Sequence, residues 1–318
     1  MKAFLRKLLF FCLPFLAGLP LLYLLPYDKE FAYQYQNNVD CNTAWIYDRI
    51  FQNEQPVDVA FIGTSHTGCG VNDSLIQKQL RGDLSIANLA YCREGRNLQY
   101  AVLKDLLKTK RPRLLVIEVQ EEEKHHGHPE FAYMADAPDI LNPVMVYNKK
   151  LFSDWGLATR ARFDYHRRRW TGDEKVYQRK GYGADHNHDP LFVIADSARM
   201  HNHRQRQTNR YVNRQPVPED DLATRFPRKY LEKMLDLCQD HGVAVTFLYL
   251  PEYGSTLPAP LQQRYFEARG QLWIPPQAVL DNPQFWADPQ HLNYFGAKGL
   301  SLWLSQQLEQ AELPENRQ

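Results

Sequence analysis

Five short apolar runs constrain the fold of this chain more than any other feature of its sequence. They are rich in β-branched and aromatic residues, and segments with helical spacing separate them. The runs cover residues 57–62, 84–90, 113–119, 242–250 and 272–280, the last interrupted by two prolines. Near-continuous apolar runs of this length are typical of parallel strands covered by helices on both faces. The pattern therefore predicts an α/β fold with a five-stranded parallel sheet.

Helical spacing of apolar residues fills several of the gaps between these runs. It predicts helices at 97–108, 226–241 and 296–308, the second ending at Gly242. Because strands and helices alternate, we expect a doubly wound sheet in three layers.

The first 27 residues predict a membrane anchor. Lys2, Arg6 and Lys7 precede an uncharged, Leu- and Phe-rich stretch at 8–27. A helix of about 20 apolar residues spans a bilayer, and preceding positive charge favours a cytoplasmic N-terminus. A cleaved signal peptide is the alternative, although the stretch is long and no Ala-x-Ala-like site ends it. We expect a single-pass protein of the inner or cytoplasmic membrane, with its main domain on the periplasmic or extracellular side.

The remaining chain divides into three parts. Residues 28–56 are predicted to be a linker, and 57–120 with 225–313 to form the sheet domain. The stretch 121–224 carries no strand signal and is too long for a structureless loop, so we expect an inserted cap or subdomain.

Charge over the whole chain is nearly balanced, with 38 basic and 37 acidic residues, and does not call for a nucleic-acid partner. A basic run at 160–169 is read either as a solvated face or as a patch that binds a glycan or a lipid phosphate.

Four cysteines lie beyond the predicted anchor: Cys41, Cys69, Cys92 and Cys238. In an oxidising compartment they permit two disulfides in three possible pairings, or they are all free. Cys69 and Cys92 each follow a predicted strand, so they could meet at one edge of the sheet.

The first strand leads into Gly63-Thr64-Ser65-His66-Thr67. Ligands of open α/β sheets bind at the carboxyl ends of the strands, so Ser65 lies where chemistry is expected. Gly63 permits a tight turn, and free backbone N–H groups after it can face a developing oxyanion. A serine at this place is also a common helix cap.

A second polar group stands before the last helix, in Asp288-Pro289-Gln290-His291. With Ser65 as nucleophile, His291 is the candidate general base and Asp288 the residue that orients its imidazole. A capping Asp and an incidental His is the alternative interpretation.

These two blocks resemble the first and last motifs of the SGNH/GDSL hydrolase superfamily. The resemblance implies a flavodoxin-like α/β/α fold and a Ser65–His291–Asp288 catalytic triad. It also implies an oxyanion hole built from the Ser65 N–H, a glycine N–H, for which Gly95 is the candidate, and a third donor. The third motif departs from the pattern: Gln120 stands where an asparagine is usual, followed by three glutamates at 121–123.

With the N-terminal anchor, the chain is similar to a narrower set of extracytoplasmic proteins that assist O-acylation of envelope polymers, such as alginate O-acetylation and teichoic-acid D-alanylation proteins. The similarity implies an acyl-Ser65 intermediate, O-acetylation of a cell-envelope polysaccharide, and a membrane-bound O-acyltransferase as partner. The alternatives are a carbohydrate O-deacetylase or esterase, and a non-catalytic, membrane-tethered protein that binds a glycan or an acyltransferase.

Further polar residues are weaker candidates. His66 and Asn88 are second-tier site residues, and Asn88 could equally satisfy a loop backbone. Histidines cluster at 125–128 and 186–188 without a known metal-site spacing, so surface loops explain them better than a metal site. We predict neither a cofactor nor a metal.

Overall fold

The computed structural model describes residues 1–35, 43–81, 84–123, 126–173, 191–212 and 221–314. A five-stranded, all-parallel sheet organises them, with the strand order β2-β1-β3-β4-β5. The strands are β1 (Val59–Ile62), β2 (Ile86–Asn88), β3 (Leu114–Val119), β4 (Ala244–Tyr249) and β5 (Gln271–Trp273). The predicted α/β fold with a five-stranded parallel sheet is confirmed, in the order found in flavodoxin-like sheets.

Helices precede, connect and follow these strands. The helices before β3 are α1 (Lys2–Leu24), α2 (Lys29–Gln34), α3 (Thr43–Tyr47), α4 (Ser65–Gly70), α5 (Asp73–Gln79) and α6 (Arg96–Thr109). Those between β3 and β4 are α7 (Phe131–Met134), α8 (Ala137–Leu141), α9 (Leu151–Thr171), α10 (Ser197–Tyr211) and α11 (Leu222–His241), and α12 (Gln263–Glu267), α13 (Gln277–Leu280) and α14 (Tyr294–Gln310) follow. A π-helical turn covers Asp48–Gln52 and a 3₁₀ turn Pro283–Phe285.

The sheet separates two apolar layers. Along β1, Ala60 and Ile62 belong to the core beneath α6 and α11, whereas Val59 and Phe61 belong to the core beneath α5 and α14. Successive strand residues point to opposite faces, so a strand buried on both faces must be apolar throughout. The near-continuous apolar runs of the sequence follow from this.

The predicted fifth strand is too long. β5 ends at Trp273, and 277–280 form helix α13 instead. Pro275 and Pro276 explain the break, because proline has no N–H to donate to a strand ladder and suits the start of a helix.

The segments at 28–56 and 121–224 share the core of the sheet domain. Trp45 and Ile46 of α3, and Phe131 and Met134 of α7, are all buried in the layer that contains α6 and α11. Met200 of α10 is buried in the opposite layer. Residues 28–56 therefore contribute side chains to the core as well as connecting α1 to the sheet. The described parts of the 121–224 insertion also pack into the core layers on either side of the sheet.

Helix α1 occupies the predicted anchor. Tyr23 near its end hydrogen-bonds Thr159 Oγ1 of α9 at 3.0 Å, and the guanidinium of Arg162 lies 4.6 Å from the Tyr23 ring centroid. Across the described part of the chain, no helix has both the length and the apolar character that crossing a membrane requires.

The basic run at 160–169 lies in α9 and is partly structural. Arg162 is only 1% exposed and donates to the Ala135 carbonyl at 3.1 Å, while Arg168 lies over the ring of Phe31. The run is thus neither a purely solvated face nor a continuous binding patch.

Candidate functional site

The turn after β1 presents Ser65 at the carboxyl edge of the sheet. Thr64 caps α4 by accepting a hydrogen bond from the His66 N–H at 3.2 Å, and Ser65 is the first helical residue. First-turn N–H groups have no helical acceptor. Within the described residues, the Ser65 N–H has no hydrogen-bond acceptor, so it is available to a ligand.

The loop before α14 holds Asp288 and His291 together. Asp288 Oδ1 accepts from the backbone N–H groups of Gln290 and His291 at 2.7 and 3.0 Å, and the Ala287 N–H donates to the His291 carbonyl. This tight turn aligns the two side chains. Asp288 Oδ2 therefore lies 2.8 Å from His291 Nδ1.

The structure joins Ser65, His291 and Asp288 in one hydrogen-bonded chain. His291 Nε2 lies 2.9 Å from Ser65 Oγ, although the two residues are 226 positions apart. A carboxylate only accepts, so it fixes the hydrogen on Nδ1 and leaves Nε2 as the acceptor for the serine hydroxyl. Partial burial opposes ionisation of Asp288, but hydrogen bonds from the His291 ring and the Gln290 backbone outweigh it and lower its pKa to about 2.

The Glu118 carboxylate binds the backbone of the turn that carries Ser65. This role was not predicted from the sequence. Glu118 is 3% exposed. Its Oε2 accepts from the N–H groups of Thr64 and Thr67 and from the Thr67 hydroxyl, at 2.8, 3.0 and 2.6 Å, and its Oε1 from the Thr64 hydroxyl at 2.7 Å. A side chain at Gly63 would overlap the same carboxylate. The available signal was a lone charged residue in an otherwise apolar strand.

Two proposed oxyanion donors are placed differently from the Ser65 N–H. Gln120 Nε2 donates to Glu118 Oε1 at 2.8 Å and to Thr64 Oγ1 at 3.3 Å, so its amide hydrogens are engaged. Gly95, with φ +149°, is the N-cap of α6 and lines a small cavity of about 30 Å³ that Thr64 and Gln120 also border. Gln120 therefore has no free amide hydrogen for Ser65 in this arrangement, whereas the Gly95 N–H has no acceptor among the described residues.

The three glutamates after Gln120 are turned away from Ser65. Glu121 accepts from the backbone N–H of Glu252 at 2.9 Å, Glu122 pairs with Arg210, and Glu123 pairs with Arg96 at 2.5 Å. The Glu122 and Glu123 charges are therefore paired with arginines, and Glu121 is held by a backbone N–H.

The two second-tier residues have distinct positions. His66 lines the cleft, and its Nδ1 lies 3.3 Å from the Leu250 carbonyl, which can only accept. Asn88 is fully buried, and its amide donates to the Thr67 and Val71 carbonyls at 3.0 and 2.7 Å. Asn88 thus supports the backbone around α4.

A cleft of about 780 Å³ opens over Ser65 and His291. Its wall carries the basic side chains of Arg93 and Lys150, and Arg93 adopts a left-handed conformation with φ +67°. Such conformations cost about 1–3 kcal/mol and cluster at functional sites.

Cysteines line one end of the cleft. Cys92 is disulfide-bonded, whereas Cys69 and Cys238 are free thiols. Cys69 and Cys92 thus lie at the same edge of the sheet, where they could meet, but no disulfide joins them; Cys41 lies outside the described residues. Burial raises the pKa of the Cys69 thiol to about 12, so it is not a nucleophile near neutral pH.

The histidine clusters do not form a metal site in the described residues, where no group of three or more His, Cys, Asp or Glu side chains could hold an ion. His128 is buried and hydrogen-bonds the Cys92 carbonyl at 2.8 Å, whereas His126 lines the cleft. His125, His186 and His188 lie outside the described residues.

Comparison with known proteins adds no relative: no protein-family model matches this chain, and no curated protein matches it either.

Proposed function

We propose that the protein is a serine acyltransferase or esterase in which Ser65 carries the acyl group. The observation that supports this proposal is the chain from Ser65 Oγ through His291 to Asp288, with contacts of 2.9 and 2.8 Å. A serine hydroxyl is a weak nucleophile unless an adjacent base takes its proton, and that base in turn needs an orienting group.

Acyl transfer on these residues would proceed in two halves. Ser65 Oγ attacks the carbonyl carbon of a donor ester while His291 Nε2 takes the hydroxyl proton. The donor alcohol then leaves with that proton, and acyl-Ser65 remains. An acceptor hydroxyl next attacks the acyl carbon and loses its proton to His291, which returns it to Ser65 Oγ. The Ser65 N–H would stabilise the oxyanion in both halves.

The acceptor in this proposal is a hydroxyl of a cell-envelope polysaccharide, with the donor supplied by a membrane-bound O-acyltransferase. Hydrolysis, as in a carbohydrate O-deacetylase, is the second candidate. It is favoured by the exposure of the His291 and Asp288 side chains, 25% and 29%, which admits water to the acyl-serine.

Location is a further part of the proposal. We place the sheet domain outside the cytoplasmic membrane, with α1 as its attachment. The disulfide at Cys92 supports an oxidising compartment, because disulfides seldom persist in a reducing cytosol. The exposed apolar side chains of Phe4, Phe11 and Leu24 support insertion of α1 into lipid. Carbonate extraction of membranes, followed by protease treatment of intact spheroplasts, tests both points; release by carbonate would contradict the attachment.

A fluorophosphonate probe tests the nucleophile. We expect the full chain in mild detergent to be labelled and Ser65→Ala to be unlabelled. Ser153→Ala, on the exposed face of α9, is the matched control and should label like the wild type. Equal labelling of wild type and Ser65→Ala would refute the proposal, and absence of labelling in both would favour a non-catalytic binding protein.

Transfer and hydrolysis are separated by product analysis. With p-nitrophenyl acetate as donor and an oligosaccharide as acceptor, transfer yields an acetylated sugar detected by mass spectrometry. Hydrolysis yields acetate alone, at a rate independent of the acceptor.

A further inference from the structure

Helix α10 of the insertion is firmly seated beside the Ser65 site. Asp196 caps it by accepting from the Arg199 N–H at 2.9 Å, and Met200 is 1% exposed in the core. The backbone of α10 also approaches Gly254 closely, since a Cβ there would lie 2.8 Å from Arg204 Cα. Side chains on the adjoining face of α10 therefore have a defined position relative to the catalytic loop.

A second cavity, of about 390 Å³, lies between α10 and the loop that carries Asp288. Five residues from one face of α10 line it, at helical spacing: Arg199, His203, Arg206, Gln207 and Arg210. Gln290 lines both this cavity and the cleft over Ser65. A molecule held in the second cavity thus lies beside His291, the neighbour of Gln290.

The charges in the second cavity are unevenly paired. Arg210 forms an ion pair with Glu122, and the Glu252 carboxylate accepts from Gln207 and Gln290 at 2.5 and 2.9 Å. Arg199 and Arg206 have no acidic partner within ion-pair distance among the described residues. Two guanidinium groups consequently remain for an anionic ligand, and Arg suits planar carboxylate or phosphate groups.

Gln207 and His203 occupy the acidic group of the second cavity. Gln207 is 4% exposed and its Nε2 donates to Glu252 Oε2 at 2.5 Å, while His203 Nε2 lies 3.1 Å from the same oxygen. The Glu252 carboxylate is therefore already engaged and does not pair with Arg199 or Arg206.

We propose that this second cavity is a subsite for an acidic sugar residue of the acceptor, with Arg199 and Arg206 binding its anionic group. The assignment rests on the proposed function and gives the inserted helix α10 a role in choosing the acceptor. The anionic group is a carboxylate, as in a uronic acid, or a phosphate ester.

Binding of defined oligosaccharides tests the subsite in the full-length Ser65→Ala protein, in which no turnover is needed. The probes are tetragalacturonate, a tetrameric glycerol phosphate and neutral maltotetraose. Isothermal titration calorimetry measures the affinity of the protein for each of them. We expect one anionic probe to bind at least about tenfold more tightly than maltotetraose, because hydrogen bonds to charged groups are stronger than those between neutral groups. The anionic probe that binds more tightly identifies the charged group.

Adding Arg199→Gln and Arg206→Gln should remove most of that preference. Both side chains are exposed, so the double variant should fold, which thermal unfolding checks. Arg264→Gln, at an exposed arginine of α12, is the matched control and should keep the preference.

Three results would overturn the subsite: equal binding of maltotetraose and the anionic probes, an unchanged preference in the double variant, or an equal loss in Arg264→Gln. Because binding is measured without catalysis, its failure is distinct from failure of the fluorophosphonate test of Ser65.

Discussion

Replacing Glu118 by glutamine tests how the nucleophile turn is held in place. The substitution keeps the size of the side chain but removes its charge. The amide oxygen can take over the three donors that now reach Oε2, from the N–H groups of Thr64 and Thr67 and the Thr67 hydroxyl. The new amide NH₂ would face the Thr64 hydroxyl and the Gln120 amide, both of which can turn to accept.

The expected loss of stability follows from the strength of these hydrogen bonds. A hydrogen bond to a charged group contributes about 1.5–3 kcal/mol, against about 0.5–1.5 kcal/mol for a neutral one. Weakening the three hydrogen bonds to Oε2 costs about 3 kcal/mol of folding free energy. The glutamine side chain carries no charge, so its burial is less unfavourable and offsets part of that loss. We expect Glu118→Gln to lower the free energy of unfolding by about 2 kcal/mol. Displacement of Ser65 should reduce kcat by about 10²-fold with little change in KM.

The difference in the free energy of unfolding between wild type and Glu118→Gln should depend on pH in a defined direction. Burial opposes ionisation of Glu118, but the nearby His66 and the hydrogen bonds from Thr67 and Thr64 outweigh it and hold the pKa below its ordinary value. A carboxylate with a lowered folded-state pKa stabilises the fold above its unfolded pKa, about 4.3, and this stabilisation is lost as the pH falls through the folded-state value. The gap between wild type and Glu118→Gln should be full at pH 7 and narrow below about pH 4.

Urea unfolding at pH 7 and pH 3 measures the stability difference, and p-nitrophenyl acetate hydrolysis measures kcat and KM. Glu309→Gln, an exposed position on α14, controls for the loss of one negative charge. Wild-type stability and kcat in Glu118→Gln at pH 7 would refute the reasoning that this carboxylate holds the turn.

Three further substitutions test the neighbouring contacts. Asp288→Asn should reduce kcat by about 10⁴-fold, because an amide no longer fixes the tautomer of His291; retained activity would contradict the orienting role. Gly63→Ala should destabilise the protein by about 1–3 kcal/mol, measured by urea unfolding, because its Cβ would overlap Glu118; an unchanged midpoint would show that the turn can relax. Asn88→Ala leaves the Val71 carbonyl and the Ala90 N–H unsatisfied, whereas the Thr67 carbonyl keeps the Val71 N–H, so we expect a loss of about 2–5 kcal/mol, and a loss below about 1 kcal/mol would argue against the supporting role.

Much of the fold could be predicted because its determinants are local. Strands that are buried on both faces must be apolar along their whole length, and the helices between them show apolar residues at helical spacing. The order of strands and helices can therefore be predicted from the sequence. Ser65 and the pair Asp288–His291 could be singled out for the same reason: each follows or precedes a recognisable element. Helix and strand ends were less predictable, as at α14, which begins at Tyr294 because Asn293 caps it with two hydrogen bonds.

Tertiary structure alone decided which polar groups meet. Glu118 is 54 positions from Thr64, and its role depends on β1 and β3 being neighbours in the sheet. The engagement of Gln120 also depends on that pairing. In the same way, α10 comes from the insertion, and only its packing against the loop before α14 places Arg206 beside the Ser65 site. The sequence by itself determined the layered sheet and the candidate catalytic side chains, because periodicity and order act locally. The tertiary structure decided which hydrogen bonds and ion pairs these side chains form. Many of those contacts join residues that are far apart in the sequence and close only in the folded chain.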